Sequence, residues 1–192
     1  IDAPNARILV DSGHTSESSR AALMKALSGR APDLLLLTHA HQDHYGGLPV
    51  LRAAYPDLLI YTSVYAQAYY EDQYHTVLKH KAHLEQFAAR VGVRGEMLDQ
   101  ILSGYDRIAQ SGCTASLARL LHDADEFEFG GIELRVHHLP GHHHHHLAFE
   151  LPQLNVVISG DNVFKTNLAP PQVYFDAAGL RIPALPQLLD SL

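Results

Sequence analysis

The chain has 192 residues, 46% of them apolar and 18% charged, with a net charge of −7 from 14 basic and 21 acidic residues. That is the length of one ordinary domain, here taken as residues 1–192, and its apolar content argues against intrinsic disorder. An acidic chain without a Lys/Arg stripe argues against nucleic acid as a partner and favours a small-molecule enzyme.

Ala6–Val10 is a short apolar run closed by the turn signal Asp11-Ser12-Gly13, a strand ending in a loop. Ser16 to Leu27 has helical spacing, with Gly29 just past its end. Leu34–Leu37 is continuous and apolar, as a strand buried on both faces would be. It empties into His39-Ala40-His41-Gln42-Asp43-His44, then Gly46-Gly47 and a short helix from Leu48 to Tyr55. Leu58–Thr62 is the next strand, so β-α-β-α-β order fills the first 62 residues and predicts an α/β fold. Val64 to Val91 reads as one long helix, with further helical pieces at Glu96–Leu102 and Thr114–Leu121. The stretch from 64 to 121 is therefore expected to be a helical insertion or lid. Strands resume with the alternating Ile132, Leu134 and Val136, then Leu147–Leu151 and Asn155–Ser159 about a turn at Pro152-Gln153. The tail after Lys165 is rich in proline and ends, at Leu192, in what reads as the start of a helix.

Cys113 is the only cysteine, which excludes an intrachain disulfide and fits a reducing compartment. No apolar run approaches the ~20 residues of a membrane helix, and Asp2, Asn5 and Arg7 interrupt the start as a leader would not. A cytoplasmic setting is expected, or a periplasmic or secreted one if a leader was trimmed.

The unusual number is 15 histidines, five of them consecutive from His142 to His146. In His39-x-His41-x-Asp43-His44, alternate residues of an extended segment point the same way, so His39 and His41 can converge on one ion. Asp43 and His44 are adjacent and point apart, able to serve a second ion about 3.5–4 Å away. The segment lies beyond the C-terminal end of a buried strand, where open α/β sheets place ligands. Pro140-Gly141 sets a tight turn directly before His142, which can complete a site of three nitrogens and a water. Asp161, in Ser159-Gly160-Asp161 after an apolar strand, can bridge two metals. The rest of the run, His143 to His145, is either a solvated loop or a set of spare ligands.

These motifs together, with Val10-Asp11-Ser12-Gly13, resemble the metallo-β-lactamase superfamily from about Arg7 to Phe164. The resemblance implies a four-layer αβ/βα sandwich of two mixed sheets. It implies His39, His41 and His142 on metal one, Asp43 and His44 on metal two, Asp161 bridging, and Asp11 supporting the metal loop from behind the ligands. It places His146 near the substrate pocket. The family's further metal-two histidine has no counterpart here, since no histidine follows His146. A chain lacking its C-terminal part is expected, completed by a complementary C-terminal fragment or by a homo-oligomer.

The ligand set implies hydrolysis by a metal-activated water, with Asp43 or Asp161 orienting it and no serine or cysteine nucleophile. Zinc, as one or two ions, is the first expectation, with iron or manganese as alternatives in a mixed nitrogen and oxygen site. Tyr65 and Tyr69 crowd the start of the middle helix and would wall a pocket for an acyl substrate. A helical insertion occurs in relatives acting on thioesters or lactones, so an ester-like bond is expected. Hydrolysis of β-lactams and a non-catalytic ligand-binding role are the alternatives. Relatives that do redox chemistry usually carry Glu at the position of His41.

Overall fold

The computed structural model describes residues 1–111, 113–167 and 169–192. Leu34, Leu35 and Leu36 are fully buried, as the strand of a sheet covered on both faces must be. They form β2 (Leu34–Leu36), between β1 (Ile8–Val10) and β3 (Leu59–Ser63), with β4 (Arg119–Leu121) beyond; all four run parallel. Side chains alternate across this sheet. Leu35, Leu37 and Ile60 face α1 (Glu17–Leu27) and α3 (Leu48–Ala54), packing with Leu27, Leu48 and Leu51. Leu34 and Leu36 face the opposite way, onto Leu134, Val136, Leu147 and Phe149 of a second sheet.

That second sheet is antiparallel, in the order β5 (Glu126–Phe129), β6 (Ile132–His138), β7 (Leu147–Leu151) and β8 (Val156–Ile158). Along β6, Ile132, Leu134 and Val136 point inward while Glu133 and Arg135 are exposed, the alternation of a half-buried strand. Two sheets face to face with helices outside make the expected α/β sandwich. Parallel and antiparallel pairing are divided between the sheets rather than mixed within each.

The middle of the chain departs from expectation in two places. The single helix from Val64 to Val91 is broken into a 3-10 turn at Val64–Ala66, α4 (Gln67–Glu71) and α5 (Gln73–Val91). Asp72 breaks it: its backbone is non-helical (φ −142°, ψ 70°) and its carboxylate accepts from the His75 amide, capping α5. The next helix, α6 (Glu96–Ala109), is longer than its sequence signal. The helical piece expected over Thr114–Leu121 is absent, and Arg119–Leu121 instead forms β4 against Tyr61–Ser63. Pairing with a waiting sheet edge overrides local preference there, so the helical stretch ends at Ala109. The proline-rich tail contributes a small hairpin, β9 (Tyr174–Phe175) with β10 (Arg181–Ile182), and then α7 (Ala184–Asp190). No described helix is long and apolar enough to cross a membrane.

Loops after β1, β2 and β8 and the turn between β6 and β7 gather Asp11, His39, His41, His44, His142 and Asp161 along one edge of the sandwich.

Candidate metal centre

The segment after β2 stays extended through His41, then turns once as α2 (Gln42–Tyr45). Ser12 accepts the Gly47 amide, and Gly46 and Gly47 press on the backbone of the first loop, where a Cβ on either would collide with His14, Thr15 or Ser12. Extended geometry brings His39 Nε2 within 2.8 Å of His41 Nδ1. His142 Nε2 arrives from the Pro-Gly turn, 3.0 Å from the same His41 atom. Two nitrogens on one tetrahedral zinc, at about 2.0–2.1 Å each, would stand about 3.3 Å apart, so the cluster has nearly the right size.

Hydrogen-bond partners assign the protons. Asp11 is backed into a left-handed conformation (φ 55°) and accepts from Thr38 N, from the Thr38 hydroxyl and from His44 Nδ1. Because the Thr38 proton goes to Asp11, the Thr38 oxygen accepts from His39 Nδ1. His142 Nδ1 donates to the Pro170 carbonyl. His41 Nε2 meets the Gln172 side-chain oxygen at 3.3 Å and the Tyr174 hydroxyl at 3.2 Å. Each ring is thus engaged on its outer nitrogen, and three bare lone pairs face one another. Such an arrangement is repulsive by itself and suits a cation. Burial, reinforced by the neighbouring imidazoles, holds His39 well below the usual histidine range and His41 down to about 4, so both remain neutral lone-pair donors.

His44, His39 and Asp161 form a second group able to hold an ion. His44 Nε2 is 3.4 Å from Asp161 Oδ1, and His142 Nε2 is 3.6 Å from Asp161 Oδ2, so this carboxylate stands between the two groups. Burial works against a charged His44, but the hydrogen bond and charge of Asp11, then the charges of Asp161 and Asp43, raise it above the usual value. Asp43 does not point away from His44 as adjacency in an extended chain implies. The helical turn of α2 swings its Oδ2 to 3.7 Å from His44 Nε2, on a side chain that is 61% exposed at the mouth of the site.

The histidine run is not a solvated loop. His142, His143 and His146 are buried, and His144 and His145 half-buried. His146, expected at the substrate pocket, lies beneath the metal edge, where its Nε2 accepts the Asp161 amide at 3.1 Å and its ring is 4.9 Å from that of His39. Burial, then the neighbouring histidines, pushes His145 and His146 down to about 3.

A cavity of about 560 Å³ runs from His41 under the helical lid to Phe175. Tyr65 and Tyr69 are on its wall, with His80, Tyr105, His143 and Tyr174. At its root is a buried polar hub that no sequence pattern announced. Gln73 donates to the Tyr45 hydroxyl and accepts from Ser111 and from the Cys113 amide, while Tyr45 and Tyr69 share a hydrogen bond and Tyr70 donates to the His39 carbonyl. Thr38, between the apolar run and His39, was missed, although its place at the strand end next to a ligand candidate was the signal that could have found it. Gln172 and Tyr174 sit about 130 residues from His41 in a proline-rich tail and left no signal.

A parallel sheet packed on an antiparallel one, with helices outside and a histidine and aspartate cluster along one edge, defines a metal-site α/β sandwich. The metallo-beta-lactamase superfamily model matches residues 1–185, and the chain belongs to that superfamily. A metallo-beta-lactamase family protein of Thermus thermophilus superposes with a TM-score of 0.73 at 21% identity, over 95% of this chain and 58% of that one. A protein solved in a di-iron-bound form aligns with a TM-score of 0.53 at 25% identity, over 95% of this chain and 71% of that one. The atrochrysone carboxyl ACP thioesterase of Aspergillus fumigatus is 28% identical over 159 residues, 82% of this chain and 27% of the relative. The chain thus spans only about a third of the length of the curated relatives that it matches over 159 residues.

Proposed function

We propose that the chain is a metal-dependent hydrolase of ester-like acyl bonds, with thioesters the foremost substrate class and lactones the next. The observation that carries this reading is the set of three bare imidazole nitrogens, each ring engaged on its far side. His39, His41 and His142 would hold one divalent ion, and His44 with Asp161 a second, with Asp43 at its outer edge. A bound ion of this kind supplies a Lewis acid and an activated water. The donor set of imidazoles and carboxylates suits zinc and also iron or manganese. The thioesterase name of the Aspergillus relative and the di-iron form of a solved relative support the acyl and metal parts of the reading.

The chain's own groups account for the rest. Asp161, 3.4–3.6 Å from two ligand nitrogens, is positioned to take a proton from a water lying between them. The cavity beyond His41 receives the acyl portion, and the open mouth at Asp43 and Gln42 leaves room for the thiol carrier. Further ligation of the second ion would come from a C-terminal segment or a second copy of the chain.

Metal analysis of the purified protein, followed by assays on thioesters, lactones and β-lactams after loading with zinc, iron or manganese, tests this. One or two ions per chain and thioester turnover are expected, with both lost in His41→Ala. A metal-loaded protein inert on all three substrates would sink the reading, as would full activity in His41→Ala.

A further inference from the structure

The cavity behind His41 has a wall that the reaction does not use. His143, His144 and His145 all line it, delivered by the run that follows His142. His143 is held within the fold, since its Nδ1 accepts the His145 amide and its ring lies 4.6 Å from both His41 and Tyr174. His144 and His145 differ. Neither imidazole makes a side-chain hydrogen bond to a described residue, and the Nδ1 atom of each is buried without a partner. Both rings line the cavity, and with Nδ1 buried, Nε2 is the nitrogen left to meet a ligand. The flat rings of Tyr69, Tyr105, Tyr174 and Phe175 also line the cavity, beside the imidazoles of His80 and His83. The two charged lining residues, Lys79 and Asp176, are both exposed, so no buried side-chain charge stands ready to pair with an ionic ligand.

Aromatic walls favour a ring, because stacked and edge-on contacts need flat partners. Imidazole edges in a shielded space favour a ligand that brings its own donors or acceptors, since a buried polar group is costly to leave unpaired. We infer that His144 and His145 are specificity-determining residues that hydrogen-bond hydroxyl substituents on an uncharged aromatic acyl group held in this cavity. The inference rests on the hydrolase reading for the word acyl, but the recognition itself is a binding property and is tested without turnover.

The test is calorimetric titration of the purified protein with two amides that cannot act as thioesters, naphthamide and a dihydroxy derivative of it. The hydroxylated ring is expected to bind about tenfold more tightly, the worth of roughly one good hydrogen bond. His145→Phe and His144→Phe keep a ring and remove both nitrogens, and the preference should shrink toward parity in each. His145→Asn restores a donor and an acceptor and should recover part of it. Circular dichroism and metal content of each variant separate misfolding from lost recognition. Equal binding of the two amides by the unaltered protein, no binding of either, or a preference that survives both phenylalanine variants would each overturn the proposal. Absence of thioester turnover with the binding preference intact would instead count against the hydrolase reading alone.

Discussion

The candidate metal edge and the cavity behind His41 are both lined with histidine, yet they are built in opposite ways. At the candidate metal edge the four imidazoles able to hold an ion are each engaged on the outer nitrogen: His39 by Thr38, His44 by Asp11, His142 by the Pro170 carbonyl and His41 by Gln172 and Tyr174. In the cavity, His144 and His145 make no side-chain hydrogen bond to the described residues. The same side chain is therefore held in one region with tautomer and orientation set by its surroundings, and in the other left without side-chain partners. A site that must hold an ion within tenths of an ångström needs the first kind of support; a site that must accommodate an acyl group is served by the second.

The contrast is broken most forcefully at Asp11. Asp11→Asn keeps the shape but puts an amide where three donors now converge. Metal affinity is expected to fall about 10–100-fold, while binding of a naphthamide in the cavity stays within about twofold. Equal metal affinity in the variant, read by competition with a chelator, would show that the outer hydrogen bonds do not matter and that the two regions are alike.

A smaller effect is expected at Gln73, which ties the lid to the buried tyrosines beneath the metal loop. Gln73→Leu would strand the Cys113 amide and leave the Tyr45 hydroxyl with Tyr69 as its partner, a loss of about 1–3 kcal/mol. The thermal midpoint should drop by roughly 2–4 °C for each kcal/mol. An unchanged midpoint would mean that the lid does not depend on the hub.

The last contrast is in how the metal-free protein responds to pH. Burial, joined by neighbouring histidines, holds His41 and His80 at about 4 and His145 and His146 at about 3, while the same side chains in the unfolded chain take a proton near 6.5. Between those values the unfolded chain binds more protons, so stability is fully present above pH 6.5 and falls steadily as pH drops toward 3. His44, raised in the fold, acts with the opposite sign: it adds stability below 6.5 that is lost as pH rises through its folded value. Among the described residues seven histidines are lowered in the fold and only His44 is raised, so the loss of stability on acidification dominates. Urea midpoints of the metal-free protein should therefore decline from about pH 6.5 downward, and a flat profile would contradict the burial of these rings.

The strand order of the first 62 residues, the half-buried β6 and the convergence of His39 and His41 were all determined by the sequence, because each depends on spacing within a few residues. A continuous apolar run, a period of two and an alternate-residue pair translate directly into geometry. Asp11, Asp161 and His142 were legible through turn signals and family resemblance. Tertiary structure alone decided the rest. It broke the middle helix at Asp72, turned Arg119–Leu121 from an expected helix into a strand, and swung Asp43 back toward His44. It brought Gln172 and Tyr174 from the tail onto His41, and it moved His146 beneath Asp161 while setting His144 and His145 on the cavity wall. The physical reason is common to these cases. Each outcome depends on a partner far along the chain, a sheet edge or a ring nitrogen, whose position no local pattern encodes.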